Sequence, residues 1–194
     1  MRIFAVFCMV SLILFFCACG GDSGEDATGE TRIDSALDYF DQLTNPMRHL
    51  VFKYHKVHRT SMNLTSNIRP SRILEGVEKF ENNLEELQKL TTEIADKVAA
   101  LQDFKGDKSF RNAALDYLEH LENYVYIDAP EYISLIRNYA ERYNEIEKEE
   151  VNAINKIVDK MNSESDFQGN KFEKAQSVFA KKYNFRLLPG KILH

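Results

Sequence analysis

The sequence predicts an all-α fold, an antiparallel helical bundle of four long helices closed by a short C-terminal fifth. Three observations predict it. The 194 residues hold only 8 glycines and 4 prolines, too few turn residues for a chain of β-hairpins. From Thr31 onward, apolar side chains recur at alternating steps of three and four, the spacing of one helix face. Hydrophobic residues make up 44 % and charged residues 28 %, the balance of a chain that folds around a core.

The first helix is expected from Thr31 to about Met62. Thr31 and Asp34 approximate a capping box, and Ile33, Leu37, Phe40, Thr44 and Met47 step along one face. Asn45-Pro46 reads either as a kink or as a fresh start with Pro46 at the first helical position. Met47, Leu50, Tyr54 and Val57 carry the stripe on, and Asn63 to Pro70 is a loop. The second helix, 71–104, is the clearest. Ile73, Val77, Phe80, Leu84, Leu87, Thr91, Ile94, Val98 and Leu101 follow one another without a missed step, the seam of a left-handed helix pairing. Lys105-Gly106-Asp107 is the turn. A third helix carries Phe110, Ala114, Tyr117, Leu121 and Tyr124, and Asp128-Ala129-Pro130 is expected to break it. The fourth is expected from about Pro130 to Asn162, with Ile133, Ile136, Ala140 and Tyr143 on its seam. A stutter at Glu147 precedes Val151, Ile154, Val158 and Met161. Ser163 to Gly169 reads as a polar break, and a short last helix from Asn170 to about Asn184 presents Phe172, Ala175, Phe179 and Tyr183. Helices apolar on one side only and joined by short turns bury their stripes best as a bundle.

The N-terminus differs from this body. Met1-Arg2 is a minimal basic start, and Ile3 to Phe16 is apolar apart from Ser11. A spanning helix needs about 20 apolar residues, so the run suits the hydrophobic stretch of a signal peptide. The domain organisation that follows is a leader over 1–18, an acidic, glycine-rich tether over 19–30, the helical domain over 31–188 and a tail over 189–194. Removing the leader removes Arg2 and moves the net charge from −5 to −6. That balance argues against nucleic-acid binding, which needs a basic face to displace phosphate counterions. It also argues against a polybasic grip on anionic lipid. All three cysteines, Cys8, Cys17 and Cys19, fall at this end, so the helical body forms no disulfide of its own.

The string Leu14-Phe15-Phe16-Cys17-Ala18-Cys19-Gly20 resembles the lipobox of bacterial lipoprotein precursors. The resemblance implies cleavage after Ala18 and acylation of Cys19, which becomes the new N-terminus. It makes the membrane the first partner and the cell envelope, at the outer membrane facing the periplasm or the surface, the expected location. The acidic cluster after Cys19 resembles the surface-export signal of Bacteroidetes-type lipoproteins, and Asp34-Ser35-Ala36 matches the O-glycosylation pattern of such exported proteins. Near the other end, Phe172-x-x-Ala175-Gln176-x-x-Phe179-Ala180-x-x-Tyr183-Asn184-Phe185-x-Leu187 resembles the closing motif of a family of helical bacterial surface lipoproteins. That likeness implies a helical fold and an envelope location; it supplies no activity and no catalytic residues.

Candidate chemistry is sparse. His55 and His58 lie one turn apart, with His49 behind them, but two imidazoles need further ligands from a facing helix to hold a metal. None of the five histidines has Asp or Glu three residues before it, so the Glu-x-x-His pairs of di-iron bundles are missing. No Gly-x-x-x-x-Gly-Lys loop precedes a helix, and the one cysteine of the mature chain is the acyl acceptor. Glu85-Glu86 and Glu147-Glu149-Glu150 lie on lysine-rich helices, where solvated pairing explains them. The sequence therefore predicts no catalytic residue, no metal and no cofactor. Tyr117, Tyr124, Tyr126, Tyr132, Tyr139 and Tyr143 gather on the third and fourth helices. They read either as packing at the bundle boundary or as an aromatic face for an envelope protein or glycan, with Tyr126 and Tyr132, off the seam, as its candidate contacts. The expected function is a non-catalytic interaction or scaffold module anchored at the envelope. The alternative is a helical-bundle binder of a ligand, metal or haem.

Overall fold

The computed structural model describes residues 35–64, 69–143 and 145–187. Five α-helices and one π-helical turn account for the regular structure among them: α1 (Ala36–Met62), α2 (Pro70–Ala100), α3 (Ser109–Asn123), the π turn (Tyr124–Asp128), α4 (Ala129–Glu141) and α5 (Lys148–Lys182). α3, the π turn and α4 follow one another without a gap, so the chain builds four rods that run alternately up and down. α2 lies against α1, α3 and α4, and α5 against α3 and α4. This is the predicted all-α antiparallel bundle. No helix among the described residues is long and apolar enough to cross a membrane.

The seam read from the sequence is the core of α2. Ile73, Val77, Phe80, Leu84, Leu87, Thr91, Ile94 and Val98 are all buried. Thr91 keeps its hydroxyl satisfied inside the core by donating to the Leu87 carbonyl at 2.8 Å, and Thr44 of α1 does the same to Phe40 at 2.9 Å. Gly76 is the close-approach point at the start of α2: a Cβ there would lie 2.6 Å from Leu64 Cδ2, so the side chain of Leu64 packs directly on the helix. The end of the bundle at which α1 begins is an aromatic cluster. Phe40 stacks on Phe110 at 5.3 Å, and Phe110 on Phe179 at 4.8 Å. The Lys105-Gly106 turn at this end has positive φ at both residues (51° and 78°), and the Asp107 amide donates to the Phe104 carbonyl at 2.9 Å.

Helix limits depart from expectation at Asp128–Pro130, at Glu147 and across Ser163–Gly169. The Thr31–Asp34 capping box lies outside the described residues; α1 is capped instead by Ser35, whose hydroxyl accepts from the Asp38 amide at 3.0 Å. α1 then continues through Pro46, leaving the Gln42 carbonyl without its usual donor on an exposed face. Asp128-Ala129-Pro130 does not break the third helix; the π turn carries it into α4. The expected fourth helix ends early, because Glu147 is no stutter but the N-cap of a new helix. Glu147 and Glu150 form a reciprocal capping box, and Glu149 and Glu150 add negative charge to the first turn, where the helix dipole favours it. A new helix sets its own phase, and Ile157 is buried where Val158 was expected, while Val151 stays exposed. Leu37, in the first turn of α1, is likewise exposed, and its neighbour Tyr39 is buried.

α5 also runs straight through Ser163–Gly169, so the expected short last helix is its C-terminal half. The inward positions of this stretch are polar because they face polar groups, not because the helix ends. At its far end α5 closes in a Schellman motif. Asn184 takes the left-handed conformation (φ 56°), the Phe185 amide donates to Ala180 at 3.0 Å and the Asn184 amide to Lys181 at 3.3 Å. Phe185 then folds back onto Phe40 at 5.5 Å. The C-terminal motif singled out in the sequence is thus core stripe plus cap: Phe172, Gln176, Phe179 and Ala180 are buried, and Asn184-Phe185 ends the helix.

Candidate functional site

The π turn organises the middle of the molecule. Stepping by three and four from Tyr124 would bring Asp128, Glu131 and Leu135 inward. Asp128 is buried on that stepping, but beyond it Tyr132 and Ile136 are buried in place of Glu131 and Leu135, each one residue later. A π turn holds one extra residue, and this insertion shifts the phase of everything after it. Pro130 explains where the insertion sits. The Ala129 amide donates across five residues to Tyr124, and the next bond of that pattern, to Val125, would need an N–H that Pro130 lacks. Gln88 of α2 supplies it: its Nε2 donates to the Val125 carbonyl at 2.7 Å. The proline therefore continues the rod rather than ending it.

The turn has two faces. Inward, Tyr124 and Asp128 join a polar layer in the core. The Tyr54 ring of α1 lies 4.9 Å from Tyr124, 5.6 Å from His58 and 6.2 Å from His120. His58 Nε2 meets Asn162 Oδ1 of α5 at 3.0 Å, and Lys160 donates to Asp128 at 2.6 Å. This layer is what the polar stretch of α5 faces. Burial dominates its electrostatics. It lowers His120 to about 4, against the opposing pull of Asp128, and pushes the Tyr54 hydroxyl up to about 12. Burial also lowers His58 and raises Tyr117 and Tyr124 well above the ordinary tyrosine range. His58 Nδ1, His120 Nε2 and Asp128 Oδ2 are buried without a hydrogen-bond partner. Both histidines are therefore neutral core groups at neutral pH. His55, the expected companion of His58, is exposed. No group of three or more His, Cys, Asp or Glu among the described residues is placed to hold a metal ion.

Outward, the turn presents Tyr126 and Ile127 side by side, 52 % and 55 % exposed. The Tyr126 hydroxyl shares a hydrogen bond with Thr92 of α2 at 3.0 Å. One helical turn further along the same stripe, an open groove of about 540 Å³ begins between α2 and α4, with Leu84 and Ile133 at its floor and Glu85, Pro130 and Glu141 on its walls. Glu81 and Arg137 bridge it at 2.7 Å.

The structure separates the tyrosines that the sequence grouped. Tyr126 is exposed as expected from its place off the seam. Tyr132 is not: it is fully buried, and its hydroxyl donates to the Ser61 carbonyl at 2.7 Å. That carbonyl, in the last turn of α1, also accepts from the Leu64 amide at 3.1 Å, so Tyr132 adds a second bond to the helix end from a neighbouring rod. Its reading as a partner contact is corrected: Tyr132 is buried beside the expected seam of Ile133, Ile136 and Ala140, so the buried face of α4 is wider than that seam. Tyr117 and Tyr124 are core, and Tyr139 and Tyr143 are half-buried against each other, ring edge to face at 5.7 Å. The aromatic face reduces to Tyr126, with Ile127 beside it, a residue the helical stripe gave no reason to select. Of the acids weighed as catalytic pairs, Glu86 pairs with Lys53, and Glu150 with Arg142 at 2.7 Å. Cys19 and the tether lie outside the described residues, as does Asp34; Ser35, the central residue of the glycosylation pattern, is the N-cap of α1.

Compared with protein-family models, with curated proteins and with solved structures, the chain matches none. The likeness of its C-terminal motif to a surface-lipoprotein family rests on the residues themselves.

Proposed function

We propose that this chain is a lipid-anchored protein of the cell envelope, held through Cys19, whose helical domain binds another macromolecule rather than turning over a substrate. The observation that carries the binding reading is the exposed pair Tyr126–Ile127 at the head of the α2–α4 groove. A tyrosine and a β-branched residue set side by side in water give an interface a rigid apolar anchor. Their position is fixed from both sides: Thr92 holds the tyrosine hydroxyl, and Gln88 holds the backbone of the turn. At about 3.3–3.6 Å per residue, the 12-residue tether reaches roughly 40 Å from an acylated Cys19.

The test is photo-cross-linking in intact cells with the full chain. Benzoylphenylalanine in place of Ile127 should give a discrete cross-linked product that the same group in place of Glu119 does not. Identical products from both positions, or none from 127, would overturn the binding reading.

A further inference from the structure

We propose that the groove between α2 and α4 takes a basic segment of a protein partner, with lysine or arginine side chains set against Glu85 and Glu141 and apolar side chains against Tyr126 and Ile127. The inference rests on the binding reading above and names the chemistry of its partner. It follows from how the groups on the walls are used. Each nitrogen-bearing side chain lining the groove makes a hydrogen bond: Arg137 Nη2 to Glu81, Gln88 to the Val125 carbonyl, and Asn138 to Glu150 at 2.9 Å. Pro130 contributes no backbone donor. The carboxylates of Glu85 and Glu141 are exposed and make no hydrogen bond or ion pair with any described residue. Beyond the Ser134 hydroxyl and the remaining Arg137 N–H groups, the lining therefore offers acceptors, and its unpaired charge is negative.

Glu141 sharpens the point. It stands in the last turn of α4, where the helix dipole is negative, and that turn carries no basic residue. Arg142, the next residue, is turned to Glu150 at 2.7 Å. A carboxylate at the wrong end of a helix, with the nearest cation engaged elsewhere, is a place where a partner's cation gains both the charge and the dipole. Tyr126 and Ile127 lie at the other end of the same stripe and give the segment an apolar stop. A neutral glycan gains nothing from two unpaired carboxylates, and a nucleic acid is repelled by them.

The experiment uses the full acylated chain in zwitterionic nanodiscs and two fluorescent peptides of about 14 residues, long enough to run the groove as a helix at 1.5 Å per residue. One peptide is built from Lys, Leu and Ser; the other has Glu in place of every Lys. Only the basic peptide should bind. Glu85→Gln with Glu141→Gln should weaken it about tenfold, while Glu119→Gln with Asp159→Asn, the same charge change on exposed positions off the groove, should change it less than about twofold. Equal weakening by both pairs would reduce the effect to net charge and overturn the proposal, as would unchanged binding to the groove pair or better binding of a neutral oligosaccharide. If the cross-link from position 127 persists while the groove pair changes nothing, the binding reading stands and this inference falls. If the cross-link is lost too, both fall.

Discussion

Gln88 on α2 completes the backbone of a different rod: its side-chain amide occupies the Val125 carbonyl that Pro130 leaves bare. The bond spans 37 positions of sequence and holds the π turn at the point where the core changes phase. Gln88→Leu keeps the volume and removes the donor. It should cost about 1–3 kcal/mol, the penalty of a buried carbonyl left unmet, and speed amide exchange at Ala129 and its neighbours more than in α2. A variant that melts and exchanges like the parent would show that water replaces the bond at no cost.

The apolar seam gives the largest expected effect. Leu87 is fully buried at the centre of α2. Leu87→Asp places a carboxylate there with no cation beside it and should cost more than about 4 kcal/mol, enough to abolish a cooperative thermal transition seen by circular dichroism. A parental melting curve would mean that this face of α2 is not the core.

Much of this was legible in the sequence, and the reasons for the rest are physical. The stripe of α2 could be read because its neighbours are apolar and its helix is uninterrupted. The break before α5 was written as Glu147-x-x-Glu150, a capping box that competes with a stutter for the same residues. The continuity of α5 was hidden because Ser165, beside Tyr54, and Gln168, with its Oε1 buried, are polar residues where a core stripe is sought. Pro130 read as a breaker because the residue that rescues it lies on another helix. The exposed partner candidate Tyr126 followed from its place off the seam. Tyr132 also lies off the seam of Ile133, Ile136 and Ala140, but α4 is covered on a face wider than that seam, which a single stripe cannot reveal.

Acid should find the polar layer first. His120 is lowered to about 4 by burial, whereas in the unfolded chain it titrates near the ordinary value of 6.5. Above that value it is neutral in both states and stability does not depend on it. As pH falls from 6.5 towards 4 the unfolded chain binds a proton that the folded one refuses, and stability declines by up to about 3 kcal/mol. His58, lowered in the same direction, adds to the slope. Urea melts of the parent and of His120→Leu across that window should diverge, with the variant losing less. Parallel curves would place the acid sensitivity elsewhere.

The α2–α3 turn makes a smaller demand. Gly106 has φ of 78°, and a Cβ there would touch nothing within 4 Å, so its requirement is conformational alone. Gly106→Ala should lower stability by about 1 kcal/mol, a fall of about 2–4 °C in Tm for a domain of this size. Gly106→Asn should lose less, since asparagine tolerates the left-handed region. Equal loss in both would point to packing instead of backbone.

The reading of this chain as an envelope-anchored binding module stands first on Cys19, and the intact mass of the protein recovered from membranes tests it most directly. The account predicts a mature chain beginning at Cys19 and carrying acyl groups, with Cys17→Ala processed like the parent and Cys19→Ala left as uncleaved, unacylated precursor. Normal cleavage and acylation of Cys19→Ala, or a parent protein recovered at its full unmodified mass, would contradict it.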